Sequence, residues 1–229
     1  VPRERFVPAA KRALAYADVP VEIAPGRFLL DPRTFGKLLQ LAGLRATDRV
    51  LDVACGTGLM SLAATRLTQG RITLVGVDPS PGMSALARAK LPIEFHEGVA
   101  EALPVPDAAF DFVMMGYALR HVPDWTRAFR EFARVLRPGG RVVLLEITRP
   151  TSHGGKMVFD GYFGGMLPVL GLLATGQLRA WRLYRYYWRT MAAAHPPAAV
   201  FAALNQAGFA AARHRLKYGC MSEYTAKKI

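Results

Sequence analysis

Two glycines and two aspartates are spaced along the chain as a nucleoside pocket requires. Gly56 and Gly58 follow the short apolar run 50–53, and Asp78 ends a second apolar run roughly 20 residues further on. Glycine lets a ligand approach the main chain closely, and an acidic residue at the end of a second strand accepts hydrogen bonds from ribose hydroxyl groups. Asp52, inside the first run, adds a carboxylate suited to an amino group. These residues predict a nucleoside site, whereas a glycine turn that only joins two elements leaves Asp78 unexplained.

The dinucleotide pattern G-x-G-x-x-G is incomplete in this chain. Its third glycine allows close packing of helix and strand, and Ser61 stands at that position. A ligand without a pyrophosphate does not need the complete pattern. The sequence therefore disfavours an oxidoreductase that uses NAD.

The bulk composition limits the class of protein further. The 229 residues are 52% hydrophobic and 21% charged, which is typical of a folded α/β domain. The two cysteines, Cys55 and Cys220, are too few for a disulfide framework and lack metal-ligand spacing. The net charge is +13, but the arginines are spread along the chain, so we expect no nucleic-acid binding. No apolar stretch follows the first five residues, which predicts a cytoplasmic protein.

Strands and helices alternate between residues 45 and 150, which predicts a Rossmann-like α/β fold with a doubly wound, mostly parallel sheet. The two extended runs 209–216 and 220–226 add an antiparallel hairpin and complete seven strands. Ligands of such sheets bind beyond the carboxyl ends of the strands. The predicted core elements are strands at 50–53, 72–77, 93–96, 110–117 and 141–147, with helices at 59–67, 81–90 and 125–136.

Four segments organise the chain. Residues 1–44 carry helical spacing at 6–14 and 35–42, around a loop predicted by Pro20, Pro25 and Gly26, and cover part of the ligand pocket. Residues 45–150 form the core, and residues 151–195 form a helical lid inserted after the fifth strand. Residues 196–229 supply the last helix and the closing hairpin.

The lid combines an apolar stretch with a basic aromatic helix. Residues 161–176 carry no charge, but they are shorter than the roughly 20 residues of a membrane span and follow Asp160, so we expect no crossing. In 178–191, Trp181, Tyr184 and Trp188 share one helical face, and arginines share the adjacent face. Two interpretations stay open: a cap helix with its aromatic side chains in the core, or an amphipathic helix on a membrane surface.

A series of short motifs runs along the chain at residues 51–58, 100–104, 110–111, 119–122, 134–140, 145–150, 167–171, 184–186 and 207–209. Taken in this order, these motifs resemble those of class I S-adenosylmethionine (SAM)-dependent methyltransferases. More narrowly, they are similar to the UbiE-like C-methyltransferases of menaquinone and ubiquinone biosynthesis, over residues 45–228.

The resemblance implies the residues that bind the cofactor. Asp52, Gly56 and Gly58 would hold the methionine part of SAM, and Asp78 its ribose. Many relatives carry an acidic residue where Val99 stands, so the contact to the adenine amino group is lost here or falls to Glu101 or main chain. The remaining residues of the implied cofactor site are Ala54, Pro79, Met83, Ala100 and Tyr117.

The resemblance also places the catalytic position at Leu119-Arg120-His121, where relatives commonly carry Leu-Arg-Asn. Histidine is able to remove a proton near neutral pH and asparagine is not. We expect His121 to act as general base for a hydroxyl group and Arg120 to stabilise the resulting oxyanion. The alternative is that His121 only ends the strand and bonds to the backbone.

The apolar lid favours a flat, hydrophobic acceptor. Overall similarity favours C-methylation of a polyprenyl quinol at the membrane, whereas His121 favours O-methylation of a phenolic or polyketide metabolite in the cytosol. A SAM-binding scaffold without catalysis is the third alternative. The predicted substrate-pocket residues are Glu146, Tyr162, Tyr184 and Trp188.

Overall fold

The computed structural model describes residues 21–24, 27–29, 43–193, 196–217 and 219–229. Its first elements, β1 (Val21–Ala24) and β2 (Arg27–Leu29), form an antiparallel pair. The predicted loop in this segment is therefore wrong, because the alternation Val-Glu-Ile of β1 is a strand pattern that the flanking prolines do not interrupt. The helices predicted at 6–14 and 35–42 lie outside the described residues.

Seven strands form one central sheet among the described residues. When the strands are numbered along the chain, their order across the sheet is β5-β4-β3-β6-β7-β9-β8. The first five of these positions run parallel, and the last two strands join antiparallel. This confirms the predicted doubly wound, mostly parallel sheet. The strands are β3 (Arg49–Val53), β4 (Thr73–Asp78), β5 (Glu94–Glu97), β6 (Phe110–Gly116), β7 (Leu136–Ile147), β8 (Phe209–Lys217) and β9 (Met221–Lys228).

Helices connect these strands and cover the sheet. The helix Trp125–Val135 begins where the Asp124 carboxylate accepts a hydrogen bond from Arg127 N at 2.9 Å, as an N-cap residue does. The α-helices are α1 (Leu59–Leu67), α2 (Pro81–Arg88), α3 (Trp125–Val135), α4 (His153–Phe159), α5 (Leu167–Thr175), α6 (Leu178–Ala192) and α7 (Pro197–Gln206); Leu119–His121 is a 3₁₀ turn and Asp160–Met166 a π-helix.

The central strand β6 is buried on both faces, and its side chains divide between two cores. Val113 and Met115 pack in one cluster with Phe129 of α3, whereas Phe112 and Met114 pack in the other with α1. This alternation follows from the two-residue period of a strand. A parallel strand covered by helices on both sides reads as a continuous apolar run, which is why the sequence shows it clearly.

Strand β7 begins at residue 136, five residues before the predicted start. Leu136 pairs with Phe110, and after a register shift Arg141 pairs with Phe112. Pro138, Gly139 and Gly140 fall within that shift, where Gly139 has a φ of 76°. The extra pairing anchors the end of α3 to the sheet.

The lid begins with one continuous helix, His153–Thr175, made of α4, the π-helix and α5, which we call the apolar helix. By length and composition alone it is able to cross a membrane, and 17% of its most apolar window is buried. The expectation that the lid is too short to cross rested on residues 161–176. The helix begins eight residues earlier, so that argument does not hold.

The aromatic face of α6 packs on the apolar helix rather than in the core of the sheet, which corrects one of the two interpretations left open. The ring of Trp188 lies against Gly164, within 3.1 Å of where a Cβ atom would stand, and Tyr184 lies against Gly171. Trp188 Nε1 also donates to Asp160 at 3.0 Å, and Asp160 pairs with Arg149 beyond the end of β7. Glycines on one helix thus accommodate rings from the other.

Candidate functional site

The carboxyl ends of β3 and β6 meet at the point where the sheet reverses its winding, which is where α/β folds bind ligands. The residue after each strand has a left-handed backbone: φ is 53° at Ala54 and 58° at Tyr117. Such a conformation is costly for residues other than glycine and is concentrated at functional sites. Because β3 and β6 are neighbours in the sheet, the sequence-predicted cofactor residues at their ends lie side by side.

The glycine turn after β3 leaves its main chain open. Gly56 has a φ of 55°, and a Cβ atom placed there would meet nothing within 4 Å. Gly58 has a φ of 77° and starts α1, and a Cβ atom there would come within 2.9 Å of Leu91. Gly56 therefore leaves space for a ligand beside its main chain, whereas Gly58 is required for the turn and its packing.

Asp78 lies at the end of β4 and faces the glycine turn. Its carboxylate accepts hydrogen bonds from Gly56 N at 2.7 Å and from Ser80 N at 2.9 Å. Each carboxylate oxygen has a second lone pair, so hydroxyl groups of a ribose are able to bind as well. Pro79 follows directly, and Met83 N bonds to the oxygen of Ser80 at the start of α2.

Asp52 is the most deeply buried carboxylate of the site, at 1% exposure. Ser61 Oγ donates to its Oδ2 at 2.5 Å. The pKa of Asp52 is raised to about 7 in total. Burial raises it most, the hydrogen bonds from Ser61 partly offset this, and the negative charge of Asp78 adds to the increase. A cationic amino group beside Asp52 would supply the opposite charge that a buried carboxylate lacks. This chemistry fits an aminoacyl ammonium group.

The loop after β5, which carries Val99 and Ala100, is fixed by an ionic clamp from α3. Glu131 accepts Leu103 N at 2.8 Å, and Arg134 donates to the carbonyl oxygens of Leu103 and Val105 at 2.9 and 3.0 Å. Val99 is 45% exposed and Ala100 is buried. The loop thus presents an apolar surface and main chain toward the predicted adenine side.

Arg120 and Glu146 form a buried ion pair between the 3₁₀ turn and the end of β7. The Glu146 carboxylate accepts Arg120 Nη1 at 2.6 Å and Arg120 N at 3.0 Å, and Nη1 also donates to the carbonyl oxygen of Tyr117 at 2.6 Å. The Arg120 and Glu146 side chains are 10% and 4% exposed. Glu146, predicted as a substrate-pocket residue, is therefore bound to Arg120, and Arg120 holds the turn that carries His121.

His121 lies at the rim of the site, where its ring is stacked against that of Tyr186 in α6. The ring centroids are 6.3 Å apart and the ring planes differ by 11°. Neither ring nitrogen has a hydrogen-bond partner among the described residues. Burial, assisted by the charge of Arg120, lowers the pKa of His121, and Glu146 partly opposes this. The ring is therefore neutral near pH 7 and is able to accept a proton.

The predicted substrate-pocket residues of the lid separate in the structure. Tyr184 and Trp188 are packed between the apolar helix and α6. Tyr162 instead lines an open cleft of about 440 Å³ between the apolar helix and the hairpin of β8 and β9. The sequence placed all three in one pocket because helical spacing shows which residues share a face and not what that face contacts.

Two residues of the site were missed by sequence reasoning as functional positions. Ser61 was noted only as the missing glycine, yet its hydroxyl group contacts Asp52. Tyr186 appears in the sequence only as part of a motif, and no signal in the sequence pairs it with His121.

Cys55 lies in the glycine turn, but burial strongly raises the pKa of its thiol, so it is not a nucleophile. Among the described residues, no group of three or more His, Cys, Asp or Glu side chains is placed to hold a metal ion.

Comparison with known proteins places this site in context. The sequence model of the ubiE/COQ5 methyltransferase family matches residues 33–228. The demethylmenaquinone methyltransferase of Thermus thermophilus is 37% identical over 211 residues, which are 86% of this chain and 94% of that protein. The ubiquinone/menaquinone biosynthesis C-methyltransferase UbiE of Geobacter sulfurreducens is 36% identical over 188 residues, 79% of this chain and 72% of that protein.

Solved structures agree on the fold. A SAM-dependent methyltransferase from Aquifex aeolicus superposes with a TM-score of 0.61 at 16% identity, over 88% of this chain and all of that chain. The phosphoethanolamine N-methyltransferase 2 of Haemonchus contortus, in complex with SAM, gives 0.60 at 14% identity, over 86% of this chain and 52% of that chain. At these identities the likeness concerns the fold alone.

Proposed function

Because the chain belongs to the ubiE/COQ5 methyltransferase family and is a SAM-dependent methyltransferase, we propose that its acceptor is a quinol-type aromatic ring methylated on carbon. The names of the Thermus and Geobacter relatives support this acceptor class. Methylation on carbon rests on those names, whereas the observation that carries an aromatic acceptor with a hydroxyl group is the neutral His121 ring, stacked against Tyr186 at the rim of the cofactor site. An aromatic neighbour and a base are what a flat phenolic ring requires.

The residues of the site fit the cofactor. Asp52 would bind the ammonium group of SAM, Asp78 its ribose, and the open main chain at Gly56 its methionine part. The loop at 99–100 would bind the adenine through apolar contact and main chain, since Glu101 is the acceptor for Asp124 N at 3.4 Å. When bound, SAM supplies an electrophilic methyl group.

His121 has the role of proton acceptor. The hydroxyl proton of the acceptor moves to a ring nitrogen of His121, and the negative charge left on oxygen spreads to the adjacent ring carbon. That carbon would then bond to the methyl carbon while the bond from the methyl carbon to the sulfonium sulfur breaks and leaves S-adenosylhomocysteine. The ring carbon loses its own proton to solvent, and His121 returns the first proton to the oxygen, which restores the aromatic hydroxyl group. The chain thus aligns the two reactants and removes the hydroxyl proton, which are the two tasks that methyl transfer sets.

Arg120 supports this step indirectly, by holding the turn that carries His121. Its guanidinium group is engaged by Glu146 and Tyr117, so it fixes the turn, and its positive charge adds to the effect of burial in lowering the pKa of His121. The oxyanion role predicted from the sequence would require Arg120 to contact the acceptor while it keeps these partners. We assign Arg120 and Glu146 as positioning residues.

We also infer that the enzyme works at an anionic membrane surface. The large exposed apolar side chains of the described chain are concentrated on the lid, whereas the core exposes few. Contiguous exposed apolar surface of this kind marks an interaction site. The exposed lid residues are Met157, Val158, Tyr162, Met166, Val169, Leu170, Leu173, Leu178, Trp181 and Tyr186.

Charge supports a position in the plane of the surface rather than across it. Residues 153–192 carry Lys156 and four arginines of α6 against a single acid, Asp160, which is paired with Arg149. A helical hairpin that crossed the bilayer would bring those arginines into hydrocarbon, at about 2.5–3.5 kcal/mol each near the centre. Basic side chains beside an apolar helix instead attract anionic headgroups.

The experiment that tests the acceptor uses SAM with a deuterated methyl group. The purified enzyme is incubated with a reduced naphthoquinone that lacks the ring methyl group and, separately, with a soluble phenol, and products are analysed by mass spectrometry. We expect a label that resists ether-cleaving acid. A label removed by that acid would show O-methylation, and label on a soluble phenol but on no quinol would overturn the acceptor class.

A further inference from the structure

A small cavity lies beside the Arg120–Glu146 ion pair, and we call it the inner cavity. Its walls come from the 3₁₀ turn, the end of β7, α7 and β9. The volume is about 10 Å³, and one buried water molecule needs about 10–15 Å³. Four polar side chains line it, those of Arg120, Glu146, Thr148 and Tyr224. Cavities of this size hold water when polar groups line them, so the hydrogen bonds of these four groups decide what the inner cavity binds.

Two of the four groups are buried and carry a hydrogen-bond donor that no described residue accepts. They are Arg120 Nε and the hydroxyl group of Tyr224. The Arg120 side chain is 10% exposed and Tyr224 is 1% exposed. A guanidinium N–H group is able only to donate, and a buried polar group left unpaired is destabilising. Both groups therefore require a partner inside the inner cavity.

The other two groups have spare capacity to accept a hydrogen bond. Oε1 of Glu146 accepts Arg120 Nη1 at 2.6 Å and Ile147 N at 2.8 Å, whereas Oε2 accepts Arg120 N at 3.0 Å and keeps one lone pair. Thr148 Oγ1 is bound to Ser222 Oγ at 2.6 Å and also keeps a lone pair. A water molecule accepts two hydrogen bonds and donates two. The two donors and two acceptors of the inner cavity match it.

The ring of Tyr224 is held so that its hydroxyl group stays near the ion pair. His214 is stacked on it with ring centroids 4.8 Å apart, and Phe201 of α7 meets it edge-on at 6.1 Å. Burial raises the pKa of Tyr224 most, the Ser222 hydroxyl group partly offsets this, and the negative charge of Glu146 adds to the increase. That electrostatic effect requires the hydroxyl group of Tyr224 to lie close to Glu146.

We propose that the inner cavity binds one water molecule, which joins Tyr224 to the Arg120–Glu146 pair and makes Tyr224 a positioning residue for His121. The role toward His121 rests on the proposed function, but the water site does not. Arg120 already holds the 3₁₀ turn through its main-chain N and Nη1. A bond from Nε fixes the guanidinium plane along a second edge, and hydrogen bonds of this kind lock a supporting side chain in one conformation.

NMR on the nitrogen-labelled wild-type protein tests the water site without any methyl transfer. We expect an Overhauser effect between the Nε proton of Arg120 and a long-lived water molecule. We also expect this proton to exchange with solvent roughly tenfold more slowly than the Nε proton of the exposed Arg182. Exchange as fast as that of Arg182, together with no contact to water, would overturn the proposal.

Two variants test the positioning role. Tyr224→Phe removes the hydroxyl group but keeps the ring between His214 and Phe201. It should abolish the water contact and lower kcat for the quinol roughly fivefold or more, while the Kd of SAM and the KM of the quinol stay unchanged. Val200 of α7 also lines the inner cavity. Val200→Ile fills the cavity with one more methyl group and should have the same effect.

Val200→Ala is the matched control, because it enlarges the inner cavity and should keep the water contact and kcat. Since Tyr224→Phe and Val200→Ile remove the same water molecule, the double variant should lose no more kcat than either single variant. Additive losses would overturn the shared water molecule. Unchanged kcat in both single variants would overturn the positioning role.

The two kinds of measurement separate this inference from the proposed function. A water contact at Arg120 in an enzyme that methylates no quinol would reject the proposed function alone. Methylation of a quinol by an enzyme whose Arg120 shows no such contact would reject the water site alone.

Discussion

At the scale of single residues, the buried carboxylate of Asp52 makes cofactor binding dependent on pH. With a pKa of about 7, half of the unliganded protein carries a neutral Asp52 at that pH. Only the ionised form pairs with an ammonium group, so the apparent dissociation constant of SAM should be about fivefold lower at pH 7 than at pH 6, below the pKa of about 8 of an α-amino group. Isothermal titration calorimetry over this range measures the effect.

Two variants check the assignment to Asp52. Asp52→Asn should weaken SAM binding roughly tenfold or more and abolish the pH dependence, because a neutral amide replaces the charge. Ser61→Ala removes a hydrogen bond that lowers the pKa of Asp52 and should move the midpoint to higher pH. An affinity that is flat from pH 6 to 7 in the wild-type protein would reject this account.

The base role of His121 predicts a different pH profile, on kcat rather than on affinity. The lowered pKa keeps the ring neutral at pH 7, so the rate should fall only on the acid side of the ordinary histidine value of about 6.5. His121→Ala should reduce kcat roughly 100-fold or more and remove this acid limb. The exposed His153 offers the control, since His153→Ala should change neither. Undiminished turnover of His121→Ala would leave His121 a structural role.

At the scale of elements, alanine substitutions at two pairs of glycines in the apolar helix should change its stability in opposite directions. A Cβ atom at Gly164 or Gly171 would clash with Trp188 or Tyr184, whereas one at Gly161 or Gly165 would meet nothing within 4 Å. Gly171→Ala should therefore lower the free energy of unfolding by about 1–3 kcal/mol through overpacking. Gly165→Ala should raise it by about 0.5–1 kcal/mol, as glycine-to-alanine changes do inside helices.

Thermal and urea unfolding measure both changes. In a double-mutant cycle, Gly171→Ala combined with Tyr184→Ala should cost no more than Tyr184→Ala alone, because the clash has been removed. Additive costs would show that the two side chains do not share a contact.

The elements also show how far the sequence leads. The buried run of β6 and the glycine turn after β3 have strong local periods, so the core and the placement of Asp52, Asp78 and His121 at one edge follow from pattern alone. The packing of α6 does not, because an aromatic face facing another helix has the same spacing as one facing a core. The pairing of Glu146 with Arg120 depends on the side-by-side placement of β6 and β7, which no local signal specifies.

At the scale of the whole molecule, the apolar surface and the arginines of the lid predict binding to anionic vesicles. The wild-type protein should float with vesicles of phosphatidylcholine and phosphatidylglycerol and bind less to phosphatidylcholine alone, since each arginine near the surface contributes about 1 kcal/mol. Leu173, 75% exposed, should be a main contact. Leu173→Asp should reduce vesicle binding at least about tenfold, from lost apolar burial of about 1.5–3 kcal/mol.

A leucine on the core supplies the control for that experiment. Leu86 in α2 is 44% exposed and lies outside the lid, so Leu86→Asp should leave vesicle binding unchanged. Equal losses for both variants would indicate non-specific adsorption, and no binding of the wild-type protein would reject the membrane surface.

The contact between Gly171 and Tyr184 has a consequence for inheritance. Neither position is free to drift alone: a larger residue at 171 survives only after the ring at 184 has been replaced by something smaller. Gly164 and Trp188 obey the same order of events. Among descendants of a common ancestor, each pair should therefore change together, so that the spacing of the two helices is recorded in correlated substitutions as well as in coordinates.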